Sequence, residues 1–437
     1  MDPIIVGLLG VVALLVLLFF GMNIGFTMVV VGFFGYMILT NMTAAMGLFA
    51  SVPFTTVNNY GLSVIPLFVL MGQFAYYAGI SQDLYTFCNK WIGRVPGGLA
   101  SATIVACAFF AAICGSATAT TATLGVVCLP EMRKYNYKDE LACGSIAAGG
   151  TLGILIPPST GFILYAIQAE ESIGTMFAAG ILPGIFLAAV YVMTILILVK
   201  RNPSLAPMGE KVSFVEKLKS IKGVIAILIL FVIVLGGIFA GIFTANEGAA
   251  IGAFGALLFM IGKKKFNWEN LKKSCMDTLR TSGMIFMIMI GAYVFGYFLT
   301  LTRLPVMLAE TVAASNVPDF LVIVAILAIY AVLGCFVDSL PLIVLLTPIF
   351  LPIVTDMGFS AVWFGVLMVM IMQLGLITPP VGMCVYVMKG IAKDVSLGRI
   401  FKGVAPFVVA LIIAVIIVAL VTPLSLGLPQ LMYDYTY

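Results

Sequence analysis

Two short phrases hold the residues of this chain with the clearest capacity for chemistry. Gly153-Ile154-Leu155-Ile156-Pro157-Pro158 runs into Ser159 and Thr160, and Gly375-Leu376-Ile377-Thr378-Pro379-Pro380 repeats the pattern in the second half. Each lies in an apolar run long enough to cross a bilayer. A double proline removes amide donors and stops a continuous helix. Polar backbone freed inside lipid is costly, so it persists only where protein buries it or where it lines a cavity. Matching breaks in two halves of a chain point to a transporter's binding site. Carbonyls left unpaired before a break suit a hard cation such as sodium, and a helix N-terminus beyond it suits an anionic group.

Two polar turns accompany the breaks. The first is Gly115-Ser116-Ala117-Thr118-Ala119-Thr120-Thr121 and the second is Gly334-Cys335-Phe336-Val337-Asp338-Ser339-Leu340-Pro341. Asp338 is the acid placed deepest in apolar sequence, and an ionisable group there is functional by default. Ser116, Thr118, Ser159, Thr160, Asp338 and Ser339 are therefore the candidate substrate ligands, with the hydroxyls skewing the substrate towards the first half. Two sodium sites are expected, one from Gly115, Gly153, Ile156 and Pro158, the other from Gly334, Gly375 and Thr378. Each feature also has a plainer reading. Small residues at 115–121 suit a tight packing seam, and Asp338 suits a helix cap. Glu247, near the start of a crossing, fits an external interface.

The elements that position these residues follow from composition and charge. The chain is 62% hydrophobic and 9% charged, against about 25% charged in soluble domains, so it reads as an all-α integral membrane protein. The eight cysteines show no CxxC pairing and histidine is absent, which leaves neither a disulfide framework nor the usual metal ligand and proton shuttle. Apolar segments near 3–20, 24–41, 60–79, 141–168, 172–199, 222–242, 245–262, 281–301, 358–388 and 403–423 are each long enough to span, about ten transmembrane helices in all. No basic residue precedes 3–20, so this segment reads as a first crossing and not a signal peptide.

Basic residues mark cytoplasmic loops. All but Arg303 of the 22 Lys and Arg residues fall in five loops around Lys90–Arg94, Arg133–Lys138, Lys200–Lys222, Lys263–Arg280 and Lys389–Lys402. Those loops share one side only if 98–130 and 319–355 each enter and leave on the same face. The first then dips from the cytoplasm and the second from outside. Both termini lie outside, and Glu170-Glu171 forms an external turn. The expected organisation is a first repeat over 1–199 with hairpin 98–130 and broken helix 141–168. A cytoplasmic connector over 200–221 follows. The second repeat covers 222–437, with hairpin 319–355 and broken helix 358–388. An odd number of full crossings in the first repeat inverts the second. Segments 80–97 and 263–280 read as helices on the membrane surface, bracing the hairpin units.

On the GSATAT turn, the GGTLGILIPPS stretch at 149–159 and the QLGLITPPVG stretch at 373–382, the chain resembles the large membrane subunit (DctM/SiaM-like) of tripartite ATP-independent periplasmic (TRAP) transporters, within the wider ion-transporter superfamily. The resemblance covers essentially the whole length. It implies sodium-coupled uptake of an organic acid, a sialic acid-type sugar acid or a C4-dicarboxylate, by an elevator mechanism in a bacterial inner membrane. It also implies a periplasmic substrate-binding protein and a small four-helix membrane subunit, expected as a separate chain. In sialic-acid members, residues matching Ser116, Ser159, Thr160 and Asp338 lie near the sugar acid; Thr160 keeps the hydroxyl and adds a methyl group.

Other classes fit less well. A channel does not need two inverted broken helices. A membrane enzyme lacks an acid–base pair or metal cluster. A stand-alone sodium/carboxylate symporter of the same superfamily would share the hairpins without a binding protein. No nucleic-acid partner is expected.

Overall fold

The computed structural model describes residues 2–207, 212–314, 317–433 and 435, which form α-helices joined by short turns and no strand. The first half runs through α1 (Pro3–Phe19), α2 (Ile24–Leu39), α3 (Met42–Val57), α4 (Val64–Tyr77), α5 (Ile80–Ile92), α6 (Gly98–Cys114), α7 (Ala117–Lys134), α8 (Asp139–Thr151), α9 (Thr160–Gln168) and α10 (Ile173–Arg201). The second runs through α11 (Phe214–Phe239), α12 (Ala245–Gly262), α13 (Trp268–Thr302), α14 (Leu304–Ala314), α15 (Asp319–Gly334), α16 (Ser339–Asp356), α17 (Ala361–Ile377), α18 (Met383–Ile391), α19 (Leu397–Leu420) and α20 (Pro423–Tyr433). Residues 208–211 of the expected connector and 315–316 of the expected external loop lie outside the described residues. Among the described residues, seven helices are long and apolar enough to cross a membrane. Several of the expected crossings, α1 and α2 among them, are apolar but shorter.

Helices α8 and α17 form the centre. Every residue from Leu141 to Thr151 and from Val362 to Ile377 is buried, as expected for helices that carry no polar face. Helices α6 and α7 pack on α8, and α15 and α16 pack on α17. The short helices beyond the breaks cross over: α9 packs on α16, and α18 packs on α7. Outside this cluster α4 packs on α12, α13 packs on α2, and α4 and α13 meet each other.

Charged contacts gather on the basic loops. Arg133 pairs with Asp139 at 2.9 Å and Asp394 at 2.7 Å, while Arg399 reaches Glu140 at 3.2 Å. They tie the end of α7 to the start of α8 and to the approach to α19. The hydrogen bond from Arg133 holds the Asp394 carboxyl below the usual carboxylate range. Asp83 of α5 meets Lys263 at 2.6 Å, and Tyr77 of α4 donates to Asp277 of α13 at 2.8 Å.

Several local expectations change. Residues 42–57, expected as a connection, form α3: the Asn41 side chain accepts from the Ala44 amide at 2.9 Å and starts a helix too interrupted by hydroxyls and Pro53 to stand out by hydropathy. Of the surface segment 263–280, residues 268–280 join the crossing 281–301 in one 35-residue helix, α13, because nothing between Trp268 and Thr302 stops it. Residues 304–314 and 423–433, expected as loop and tail, are helical. The polar turns are tighter than 115–121 and 334–341, since Ser116 and Asp338 cap α7 and α16 directly.

Candidate functional site

At the first junction α6 stops at Cys114 and Gly115 turns the chain with φ +62°, a conformation that favours glycine. Ser116 then caps α7: its hydroxyl accepts from the Ala119 amide at 3.5 Å and lies 3.4 Å from the Thr118 hydroxyl. The first break packs straight onto this turn. A short 3-10 turn at Leu152–Ile154 leads into the two prolines, and α9 resumes at Thr160. A Cβ on Gly153 would run into the Ser116 carbonyl, so only glycine admits the contact. Thr160 donates from its hydroxyl to the Gly115 carbonyl at 2.8 Å. Prolines at 157 and 158 deprive the Gly153 and Ile154 carbonyls of their helical donors. The Ser159 hydroxyl compensates for one of them by donating to the Ile154 carbonyl, and it accepts from the Phe162 amide at 3.4 Å.

The second junction repeats the plan with other side chains. Helix α15 ends at Gly334, and a Cβ on Gly375 would run into the Gly334 carbonyl. The Thr378 hydroxyl donates to the Leu374 carbonyl at 2.7 Å and lies 3.0 Å from the Cys335 sulfur. The Val381 amide donates to the Cys335 carbonyl at 3.3 Å. Asp338 caps α16, its Oδ1 accepting from the Ser339 amide at 2.7 Å and the Ser339 hydroxyl at 3.2 Å. Both Pro-Pro peptide bonds are cis.

Between the junctions lies a cavity of about 430 Å³. Ser116, Thr118, Thr160, Asp338 and Ser339 line it together. Helices α7, α9 and α16 therefore all start at this cavity, directing three positive dipole ends into it. Ser159 is fully buried behind the wall as a cap. The residues expected to hold cations sit at the two junctions and not on the cavity wall: Gly115, Gly153 and Pro158 at the first, Gly334, Gly375 and Thr378 at the second. Ile156 turns the other way, its side chain against Gly184 of α10 and on the wall of a separate apolar cavity. Among the described residues no three Cys, Asp or Glu side chains gather to hold a metal. Any cation held at the junctions would be coordinated by carbonyls and hydroxyls.

A family model described as "Tripartite ATP-independent periplasmic transporter, DctM component" matches residues 11–424. The chain belongs to this family. It is 33% identical over 423 residues to the sialic acid TRAP transporter large permease protein SiaM of Vibrio cholerae, covering 96% of this chain and 97% of that one. It is likewise 33% identical over 378 residues to the C4-dicarboxylate TRAP transporter large permease protein DctM of Pseudomonas aeruginosa, covering 86% and 88%. At 13% identity, its fold is similar to the solved YdaH transporter of Alcanivorax borkumensis, with a TM-score of 0.62 over 89% of this chain and 91% of that one. The MtrF structure of Neisseria gonorrhoeae follows with a TM-score of 0.54 over 86% and 83%, also at 13% identity. The chain is thus a membrane-embedded TRAP large permease subunit and not an enzyme, one component of a system that also uses a small membrane subunit and a periplasmic binding protein.

The remaining wall of this TRAP subunit's cavity was not anticipated. Gln73 and Gly72 of α4, with Thr281, Met284 and Ile285 of α13, complete the cavity wall, Gly72 lying against the Ile113 carbonyl at the end of α6. Gln73 is the only amide side chain in the 60–79 run, and that was the available signal. Gln373, two residues before Gly375, is fully buried with neither amide atom partnered among the described residues.

Proposed function

We propose that this subunit moves an organic acid anion inward across a bacterial cytoplasmic membrane together with sodium. A periplasmic binding protein delivers the substrate, and a small four-helix subunit completes the membrane unit. The observation that carries the reading is the convergence of three helix N-termini, five hydroxyls and one carboxylate on a single cavity. Helix N-termini favour an anionic group. The substrate carboxylate belongs at the Ser116–Thr160 side. Asp338 repels a second carboxylate and suits a hydroxyl or amide end, which favours a sialic acid-type sugar acid over a C4-dicarboxylate.

Sodium fits the two junctions. Gly153 and Gly375 each precede a proline by four residues, so their carbonyls have no helical donor and remain available to a cation. The crossed packing of α9 on α16 and α18 on α7 supports inverted repeats over 1–199 and 222–437 with a connector at 200–221. In an elevator the central cluster with both hairpins moves against α4 and α13, and these two helices supply the fixed wall. The distribution of Lys and Arg supports basic loops in the cytoplasm and both termini in the periplasm.

The test is uptake into proteoliposomes holding both membrane subunits, with the binding protein outside. Sugar-acid uptake should require an inward sodium gradient and the binding protein. Equal uptake in potassium would remove the coupling, and uptake without the binding protein would favour a stand-alone symporter.

A further inference from the structure

Helices α11 and α12 are joined by a short turn and pack as antiparallel neighbours, leaving a groove of about 510 Å³ between them. Its walls are apolar: Ile229 and Ile233 from one helix face Leu258 and Gly262 of the other. Ile229 and Leu258 are each 52% exposed, so the groove opens sideways onto whatever surrounds the protein. From Ala226 to Ile233 it follows α11 for about 10 Å at 1.5 Å per residue, within the roughly 15 Å of one leaflet's hydrocarbon.

At one end the groove changes character. Lys263 closes it, followed by the exposed Lys264 and Lys265. On the other wall, Lys219 and Lys222 continue the spacing of Ala226, Ile229 and Ile233, and so occupy the same face of α11. Lys263 is taken by Asp83. Lys219, Lys222, Lys264 and Lys265 make no ion pair among the described residues. Lys264 and Lys265 follow the C-terminus of α12 and suit its dipole. Lys219 and Lys222 stand in the N-terminal half of α11, where the dipole offers cations nothing. Both walls thus pass from an open apolar trough to unpaired lysines at the same end.

We infer that this groove holds an acyl chain of an anionic phospholipid, with its phosphate among Lys219, Lys222, Lys264 and Lys265. The apolar length, the lateral opening and the charge at one end match the three parts of such a lipid. A protein helix would use the trough but would leave lysines on both walls without a counter-charge.

The full-length protein, purified in neutral detergent and stripped of lipid, is titrated with phosphatidylglycerol or phosphatidylcholine and followed by native mass spectrometry. Phosphatidylglycerol should be retained preferentially, each lysine near the headgroup contributing roughly fivefold. Replacing the four lysines with glutamine should bring the ratio of the two lipids close to one. Gly262→Leu should weaken both lipids, since a side chain there enters open space in the groove. It also serves as the independent check if the lysine variant inserts poorly. A photo-crosslinking residue at position 229 in membranes should capture lipid. Equal retention of the two lipids by the unaltered chain, an unchanged ratio in the lysine variant, or capture of a protein helix at position 229 would each overturn the assignment.

Discussion

The Thr160 hydroxyl donates to the Gly115 carbonyl across 2.8 Å, joining the first residue of α9 to the turn of the α6–α7 hairpin. Thr160 also lines the cavity. One side chain therefore touches the cavity proposed for the substrate and fixes a carbonyl proposed as a cation ligand. If substrate and cation are coupled, a part shared by both sites is a direct route for the coupling free energy.

Thr160→Val should therefore lower the apparent sodium affinity as well as substrate flux. It leaves the Gly115 carbonyl without its donor, a loss of about 1–3 kcal/mol. Thr160→Ser keeps the donor and should stay near normal. Flux measured against sodium concentration for the two variants checks this; equal behaviour would show that the hydroxyl bond is dispensable.

The glycine pair at the second junction should respond one-sidedly. A Cβ on Gly375 overlaps the Gly334 carbonyl, whereas a Cβ on Gly334 lies 3.7 Å from the Gly375 Cα, an ordinary contact. Gly375→Ala should cost about 1–3 kcal/mol of stability, as overpacking does, and reduce sodium-dependent flux. Gly334→Ala should fold and transport almost normally. Thermal unfolding and flux of both proteins decide it, and a harmful Gly334→Ala would contradict the packing.

The breaks and turns were legible because proline, glycine and hydroxyl patterns act locally. Pro157-Pro158 must stop a helix wherever it lies, and Ser116 and Asp338 announce helix starts. Helix α3 was not legible: Asn41 begins it through a cap that hydropathy does not register, and Pro53 and its hydroxyls dilute its apolar signal. The α4–α13 wall was hidden for another reason. Gln73 and Thr281 meet the hairpins only through tertiary packing, and nothing in either segment states which face turns towards α6 or α16.

The two hairpins should open on opposite sides of the membrane. Cys275 is the only cysteine exposed among the described residues, with Cys114 and Cys335 half-buried, so Cys275→Ser removes the most accessible thiol and, without an added cysteine, sets the background. Cysteines placed singly at exposed Val95 and Asn136, which flank α6–α7, should both label from the cytoplasm. Those at exposed Asp319 and Asp356, which bound α15–α16, should both label from the periplasm. Labelling from opposite sides within either pair means a continuous crossing and ends the inverted-repeat reading.

Asp338 separates capping from binding most cleanly. Its Oδ1 holds the Ser339 amide at 2.7 Å and hydroxyl at 3.2 Å, and the residue also lines the cavity. Asparagine caps a helix about as well as aspartate, so Asp338→Asn keeps the start of α16 and removes only the charge. Asp338→Ala removes both and should unfold at lower temperature by the roughly 0.5–2 kcal/mol of a lost cap. If the carboxylate meets a substrate hydroxyl or the coupling ion, Asp338→Asn should keep its thermal stability yet lose about tenfold or more in transport, the scale of a hydrogen bond to a charged group. If Asp338 only caps, Asp338→Asn should be normal in both respects and Asp338→Ala merely unstable. Yield, unfolding temperature and flux per folded molecule, measured on the two variants side by side, distinguish these outcomes. Normal flux in Asp338→Asn would leave the cavity without its charged ligand and return the carboxylate to a structural role.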